Sequence, residues 1–238
     1  MRVYLLLAAL LFSAVPGAAG PQEKTTVRID FANAKEDGKA ITGWSYRGKL
    51  GTDDAKFSIR EMDGAKVLCM SSGKSTGSLL YDISAIDLKK YPYMRWKWRV
   101  DVLPEGADAD CPGKDDQAIG IYIGSGSTFS QESLAFRWET KTAKGKTGFV
   151  KYGMGSVKVH WICVRNEQDG LKRWYVDECN LFQELKKIFG GNMPQKKMVV
   201  TLSANSQYTG TSSVAYLEYI EFSSEPMNQK KNNSKEKK

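Results

Sequence analysis

Histidine is nearly absent from this chain: His160 is the single one in 238 residues. The four cysteines include no Cys-x-x-Cys pair, so a zinc site has no ligand set to draw on. Long apolar runs are missing as well. The longest covers residues 3–15, too short to cross a hydrocarbon core of roughly 30 Å comfortably, and no transmembrane segment is expected. Phosphate loops also fail. Leu68 occupies the first glycine position of a P-loop ending near Ser75, and Gly124-Ser-Gly126 is followed by Phe129 where a third glycine belongs. No nucleotide, metal or other cofactor is expected, and no nucleic-acid partner.

What is present starts with an address. Met1-Arg2, the apolar run and Pro16-Gly17-Ala18-Ala19 have the three regions of a secretory signal peptide, cleaved after Ala19. An exported chain, periplasmic or secreted, is expected, with one domain over residues 20–225 and a disordered tail over 226–238. Of the formal net charge of +8, Arg2 supplies one unit and residues 228–238 four, leaving only three for the folded part. Export makes disulfides chemically available. Spacing leaves all three pairings of Cys69, Cys111, Cys163 and Cys179 open, with Cys163 and Cys179 the candidates because they flank one expected hairpin.

Alternation carries the fold. In residues 96–100, Trp96, Trp98 and Val100 point one way and Lys97 and Arg99 the other, as in a strand with one buried side. A polar loop then leads to a second strand through Gly120 and Tyr122, and Leu134, Phe136 and Trp138 mark a third. Asp63-Gly64 separates two apolar runs as a tight hairpin turn would. Residues 157–165 and 172–179 read as a hairpin around Asn166-Glu-Gln-Asp-Gly170. One helix is predicted after Asn180, its cap, with Leu181, Leu185, Ile188 and Phe189 on one face and Gly190-Gly191 as its stop. About ten short strands and one short helix, without strand and helix alternation, predict an all-β antiparallel sandwich of jelly-roll type.

From about residue 82 to 222 the chain resembles the domain-of-unknown-function 3047 family of exported bacterial proteins. The pieces are Arg95-Trp-Lys-Trp-Arg-Val-Asp101, Leu103-Pro-Glu-Gly-Ala-Asp108, Lys114-Asp-Asp116, Ser133-Leu-Ala-Phe-Arg-Trp138, Trp174 with Asn180, and Lys187-Ile-Phe-Gly190. The resemblance implies a sandwich similar to carbohydrate-binding modules and leaves activity open. The chain departs from the family pattern at Gly120 and Cys179, where the family tends to carry Arg, and at Asn205 and Gln207, where two Asp are usual.

If the apolar registers face inward, Arg95, Lys97, Arg99, Tyr122 and Arg137 share an outer face with a small-residue floor, a groove suited to an acidic sugar polymer. Asp115 and Asp116 complete the candidate ligand-binding set. Adjacent strand positions point to opposite faces, so the two Asp do not form a catalytic dyad and no catalytic residue is assigned. Gly73-Lys-Ser-Thr-Gly77 has the nucleophile-elbow spacing but is followed by another strand, not a helix, and reads as a hairpin loop. His160 reads as a hydrogen-bonded sheet residue. Trp96, Trp98, Trp138 and Trp174 read as core, and Trp44, in a Gly-rich loop, as an exposed stacking residue. The expected function is glycan binding; a polysaccharide lyase or glycoside hydrolase on the same fold, or an envelope protein-interaction module, are the alternatives.

Overall fold

The computed structural model describes residues 25–127, 130–190 and 197–227; the expected signal peptide and nearly all of the tail lie outside them. In chain order the elements are β1 (Thr26–Asp30), β2 (Glu36–Asp37), β3 (Ala40–Ile41), β4 (Ser45–Arg47), β5 (Lys56–Met62), β6 (Ala65–Gly73), β7 (Thr76–Asp82), β8 (Tyr93–Val102), β9 (Gln117–Ser127), β10 (Ser130–Trp138), β11 (Thr147–Tyr152), β12 (Val157–Arg165), β13 (Tyr175–Asn180), α1 (Leu181–Phe189), β14 (Met198–Asn205) and β15 (Ser212–Ser223). Two sheets carry the architecture. The first runs β13-β8-β15-β6-β5, with β1 also on β15, and the second runs β11-β12-β10-β9-β14-β7-β4.

Each sheet buries the side its alternation marks. In β8, Met94, Trp96, Trp98 and Val100 are fully buried, and they meet Ile119, Ile121, Ile123, Leu134, Phe136 and Trp138 of the second sheet in one core. Burying an aromatic side chain of this size removes 150–250 Å² from water, so these rings dominate the packing. They also touch in sequence: Trp96 lies 5.0 Å from Phe136, and Trp98 5.6 Å from Trp96 and 5.4 Å from Trp138, between ring centroids. The chain is thus the all-β sandwich of jelly-roll type that the sequence pattern predicts.

Local signals hold at their positions. Asp63 and Gly64 have φ of 51° and 79°, the paired left-handed conformation of a two-residue hairpin turn, and join β5 to β6. The Asn180 side chain accepts from the Gln183 amide at 3.0 Å, Leu181 and Leu185 enter the core, and Gly190 at φ 61° ends the helix.

Pairing departs from the sequence reading in several places. The strands on either side of the Cys111 loop, β8 and β9, belong to opposite sheets, and so do β12 and β13; neither pair is a hairpin. Residues 73–77 likewise pass from one sheet to the other between β6 and β7, and strands on both sides leave no elbow. One pairing is parallel, β10 with β12, because β11, a strand not read from the sequence, returns the chain along the outer edge of β12. Cys163 and Cys179 therefore sit in different sheets, and all four cysteines are free thiols. Trp44 is buried, stacked on Phe31 at 5.9 Å. Trp174 is only half-buried and donates to Asp63 at 2.8 Å.

Trp138→Ala removes the ring that joins Trp98 to Tyr175, and is expected to cost about 3–5 kcal/mol. Asn180→Ala removes only the helix cap and is expected to cost about 1 kcal/mol. Urea unfolding midpoints of the two variants test that ranking.

Candidate functional site

The topology divides the residues expected to share one face. Arg95, Lys97 and Arg99 lie on β8 of the first sheet, whereas Tyr122 and Arg137 lie on β9 and β10 of the second. Their outward sides are opposite sides of the sandwich. Each of the three β8 cations has a carboxylate: Arg95 meets Glu178 at 2.8 Å and Glu221 at 3.0 Å, Lys97 meets Glu218 at 2.5 Å, and Arg99 meets Asp101 at 2.6 Å.

The second sheet carries the concavity. A groove of about 730 Å³ opens on its outer face, within the 300–1,000 Å³ range of ligand sites. Along its floor runs one whole side of β14, with Val199, Thr201, Ser203 and Asn205 in alternation. Ser78 and Leu80 flank it on β7; Gln117, Tyr122 and Gly124 flank it on β9. The sheet is strongly curled. Arg47 on β4 donates to the Gln131 side chain on β10 at 3.3 Å, although three strands lie between them in the sheet order. In a flat sheet that separation would be about 19 Å. Both residues line the groove, so this contact reaches across it.

Small residues shape the floor. A Cβ on Gly120 would lie 2.5 Å from the Tyr122 ring, and one on Gly148 would lie 2.1 Å from Trp161. Their absence lets both aromatic rings lie flat on the sheet. Trp161 forms a second, smaller apolar cluster with Ala135, Val159 and Cys163, against which Tyr122 and Tyr152 pack.

Arg137 is fully buried here, between the rings of Tyr122 at 5.6 Å and Trp161 at 5.7 Å. Its Nη1 donates to Asp115 Oδ1 at 2.7 Å, and Tyr152 donates its hydroxyl to the other Asp115 oxygen. Burial disfavours the guanidinium charge, but Tyr122, Asp115 and Glu139 outweigh that and hold it protonated. Glu139, also fully buried, stands 3.6 Å from Arg137 Nη1, beyond hydrogen-bond reach. Neither of its oxygens has a hydrogen-bond partner among the described residues. Burial pushes this carboxyl up to about 7, against the opposing pull of Arg137. The Tyr122 phenol is pushed up to about 12, again chiefly by burial.

The two adjacent Asp residues precede β9 instead of opening a strand, and they part company in the loop. Asp115 serves Arg137, whereas Asp116 is fully buried and accepts from the Tyr208 amide at 3.2 Å and the Thr209 amide at 2.7 Å, holding the loop before β15. His160 is hydrogen-bonded within the sheet, as expected, its partner being Glu132 at 3.1 Å. Among the described residues no cluster could hold a metal ion. A second cavity of about 460 Å³ adjoins the groove, with Tyr152 and Tyr208 lining both. Sequence reasoning missed Gln117, Tyr152 and Trp161 as site residues. Val150 and Tyr152 alternate, and so do Val159 and Trp161, but that signal is the same for an outward cluster as for the main core.

Fold and site together define a two-sheet β-sandwich that presents a polar groove on one outer face. The chain belongs to the family described as "Protein of unknown function (DUF3047)", whose pattern matches residues 43–221. No curated protein matches it. Among solved structures it is similar to a family 11 carbohydrate-binding module from Clostridium thermocellum, in complex with a β-1,3-1,4-mixed-linked tetrasaccharide. The two share 10% identity at a TM-score of 0.42, over 79% of this chain and 93% of that one. It is also similar to a family 30 carbohydrate-binding module of a Clostridium thermocellum cellulosomal cellulase, at 11% identity and a TM-score of 0.45, over 84% and 99%. An endoglucanase from Rhodothermus marinus gives 8% identity and 0.43, over 81% and 97%. At such scores nothing about a ligand transfers.

Glu139 yields a pH prediction. Its carboxyl rises from the ordinary 4.5 to about 7 in the folded state, so the fold binds this proton more tightly than the unfolded chain does. Stability is therefore expected to fall as pH rises from about 4.5 to about 7 and to level off above that. Glu139→Gln is expected to abolish this part of the fall and to gain up to about 3 kcal/mol on the native protein at pH 8. Urea unfolding of both proteins at pH 5 and pH 8 measures the difference.

Proposed function

We propose that the protein is an exported glycan-binding module whose ligand lies in the groove on the seven-stranded sheet. The observation that carries this reading is the lining. Hydroxyls and amides from Ser78, Ser133, Thr201, Ser203, Asn205 and Gln117 converge with Tyr122, Tyr152 and Tyr208 on one concave surface. Aromatic faces cover the apolar side of a sugar ring, and side chains that both donate and accept satisfy its hydroxyls. Gln117 adds an unmet demand. It is almost fully buried, its Nε2 donates to the Tyr122 hydroxyl at 2.7 Å, and its Oε1 has no partner among the described residues. Whichever way that amide is turned, one polar atom at the groove wall needs a partner, and a ligand hydroxyl supplies one.

Binding is favoured over catalysis by the state of the groove's titratable groups. The meeting of Tyr122, Arg137 and Asp115 is what a lyase or hydrolase on this fold would also need. Burial, however, holds the phenols of Tyr122 and Tyr152 protonated, which disfavours either as a base near neutral pH. Glu139, whose carboxyl lies near 7, is fully buried and lines neither cavity. Export rests on the N-terminal signal pattern in residues 1–19; among the described residues no helix is long and apolar enough to cross a membrane.

A glycan array probed with the full-length secreted chain tests the reading. Tyr122→Ala is expected to weaken binding about tenfold or more, while Arg99→Ala on the opposite sheet leaves it unchanged. Loss on Arg99→Ala alone would move the site to the first sheet, and release of shortened or unsaturated product would replace binding by catalysis.

A further inference from the structure

Resting on the groove reading, we infer that the glycan it takes is anionic, a polymer bearing carboxylate or sulfate groups, recognised by Arg47, Lys49 and Lys197. Three cations line the groove, and among the described residues none of them meets a carboxylate. Arg47 donates to the neutral amide of Gln131 at 3.3 Å. Lys49 donates to the neutral amide of Gln207 at 3.0 Å and lies 5.1 Å from the Tyr208 ring centre. Lys197 stands at the N-terminal end of β14. The single carboxylate in the lining, Glu132, is engaged by His160 at 3.1 Å. The groove therefore carries an excess of positive charge that the protein itself does not neutralise.

The strand that reads as cationic in the sequence, β8, differs from the groove in this respect. There Arg95, Lys97 and Arg99 all have carboxylates within 3.0 Å, so the protein itself neutralises the cations of that strand. An unpaired cation beside amide and hydroxyl groups keeps its full attraction for a ligand anion. Arg47 adds a planar fork that matches carboxylate or sulfate oxygens in pairs.

The charges are also spaced. Lys197 precedes the β14 floor, whereas Lys49 reaches Gln207, just beyond the other end. The alternating floor residues from Val199 to Asn205 cover six residue steps of β14, or about 20 Å of strand. Neutral hydroxyls and tyrosines occupy the space between. That pattern fits a polymer whose acid groups recur along its length, with sugar hydroxyls and ring faces held between them.

The test uses the full-length secreted chain against matched polymers that differ only in charge. Polygalacturonate, alginate and chondroitin sulfate are each offered beside their carboxyl-esterified or desulfated forms, together with neutral glucan and xylan, in low and high salt. At least one acidic polymer is expected to bind more tightly than its neutralised form, and more weakly as salt rises. Arg47→Gln, Lys49→Gln and Lys197→Gln are each expected to weaken it about two- to fivefold, and the triple variant to flatten the salt dependence.

Two outcomes overturn the inference alone. Salt-insensitive binding of neutral glycans without preference for acid forms, lost on Tyr122→Ala, leaves the groove as a glycan site and removes its anion preference. Acid binding that survives intact in the triple variant assigns the charge effect to the basic residues 228–238. Absence of binding to every polymer defeats the groove reading itself.

Discussion

The structure turns on the contact between Trp98 of the first sheet and Trp138 of the second. Their rings meet edge to face at 5.4 Å, with Trp96, Phe136 and Tyr175 extending the row on either side. Trp98 also donates its indole N–H to Asp177 at 2.7 Å, and Asp177 is held by both Nε and Nη2 of Arg165. Since Arg165 ends β12 and Asp177 lies in β13, that bridge ties one sheet to the other beside the aromatic row. Its guanidinium closes over the Tyr175 ring at 3.8 Å. Everything on the outer faces depends on this fixed spacing: a sheet free to slide would not keep Tyr122, Tyr152 and β14 in one surface.

The groove is built on a second layer of apolar packing outside that core. Glycines at 120 and 148 let Tyr122 and Trp161 lie down, and Arg137 occupies the space between the two rings. Arg137 is a structural cation here, neutralised by Asp115 and set beside the buried Glu139 carboxyl. Glycine at position 120 has a physical reason in this chain: any side chain there would lift the Tyr122 ring from the floor.

Much of the fold was legible because its signals are local. The β8 alternation, the Asp63-Gly64 turn and the Asn180 cap each depend on a few neighbouring residues and appear where the sequence places them. Strand partners were not legible. A period of two tells which side of a strand is buried, not which sheet the strand joins, so Arg95, Lys97 and Arg99 were grouped with Tyr122 although the loop over residues 103–116 carries the chain between sheets. Cys163 and Cys179 were brought together by the same assumption about β12 and β13. Of the candidate set, Asp115, Tyr122 and Arg137 do converge. Lys49 and Lys197 were invisible as partners of that site because the curl of the sheet, not the sequence spacing, brings their loops to its rim.

The contact between Arg47 and Gln131 has a kinetic meaning. A hydrogen bond between strands four places apart joins two walls of the groove, and a polymer of the kind proposed above could not be laid in sideways at that point without parting it. Entry from a free end needs no such step. For the proposed glycan complex the tie would therefore separate two routes of association, making the arrival rate depend on how many chain ends a polymer offers while leaving the bound state the same by either route.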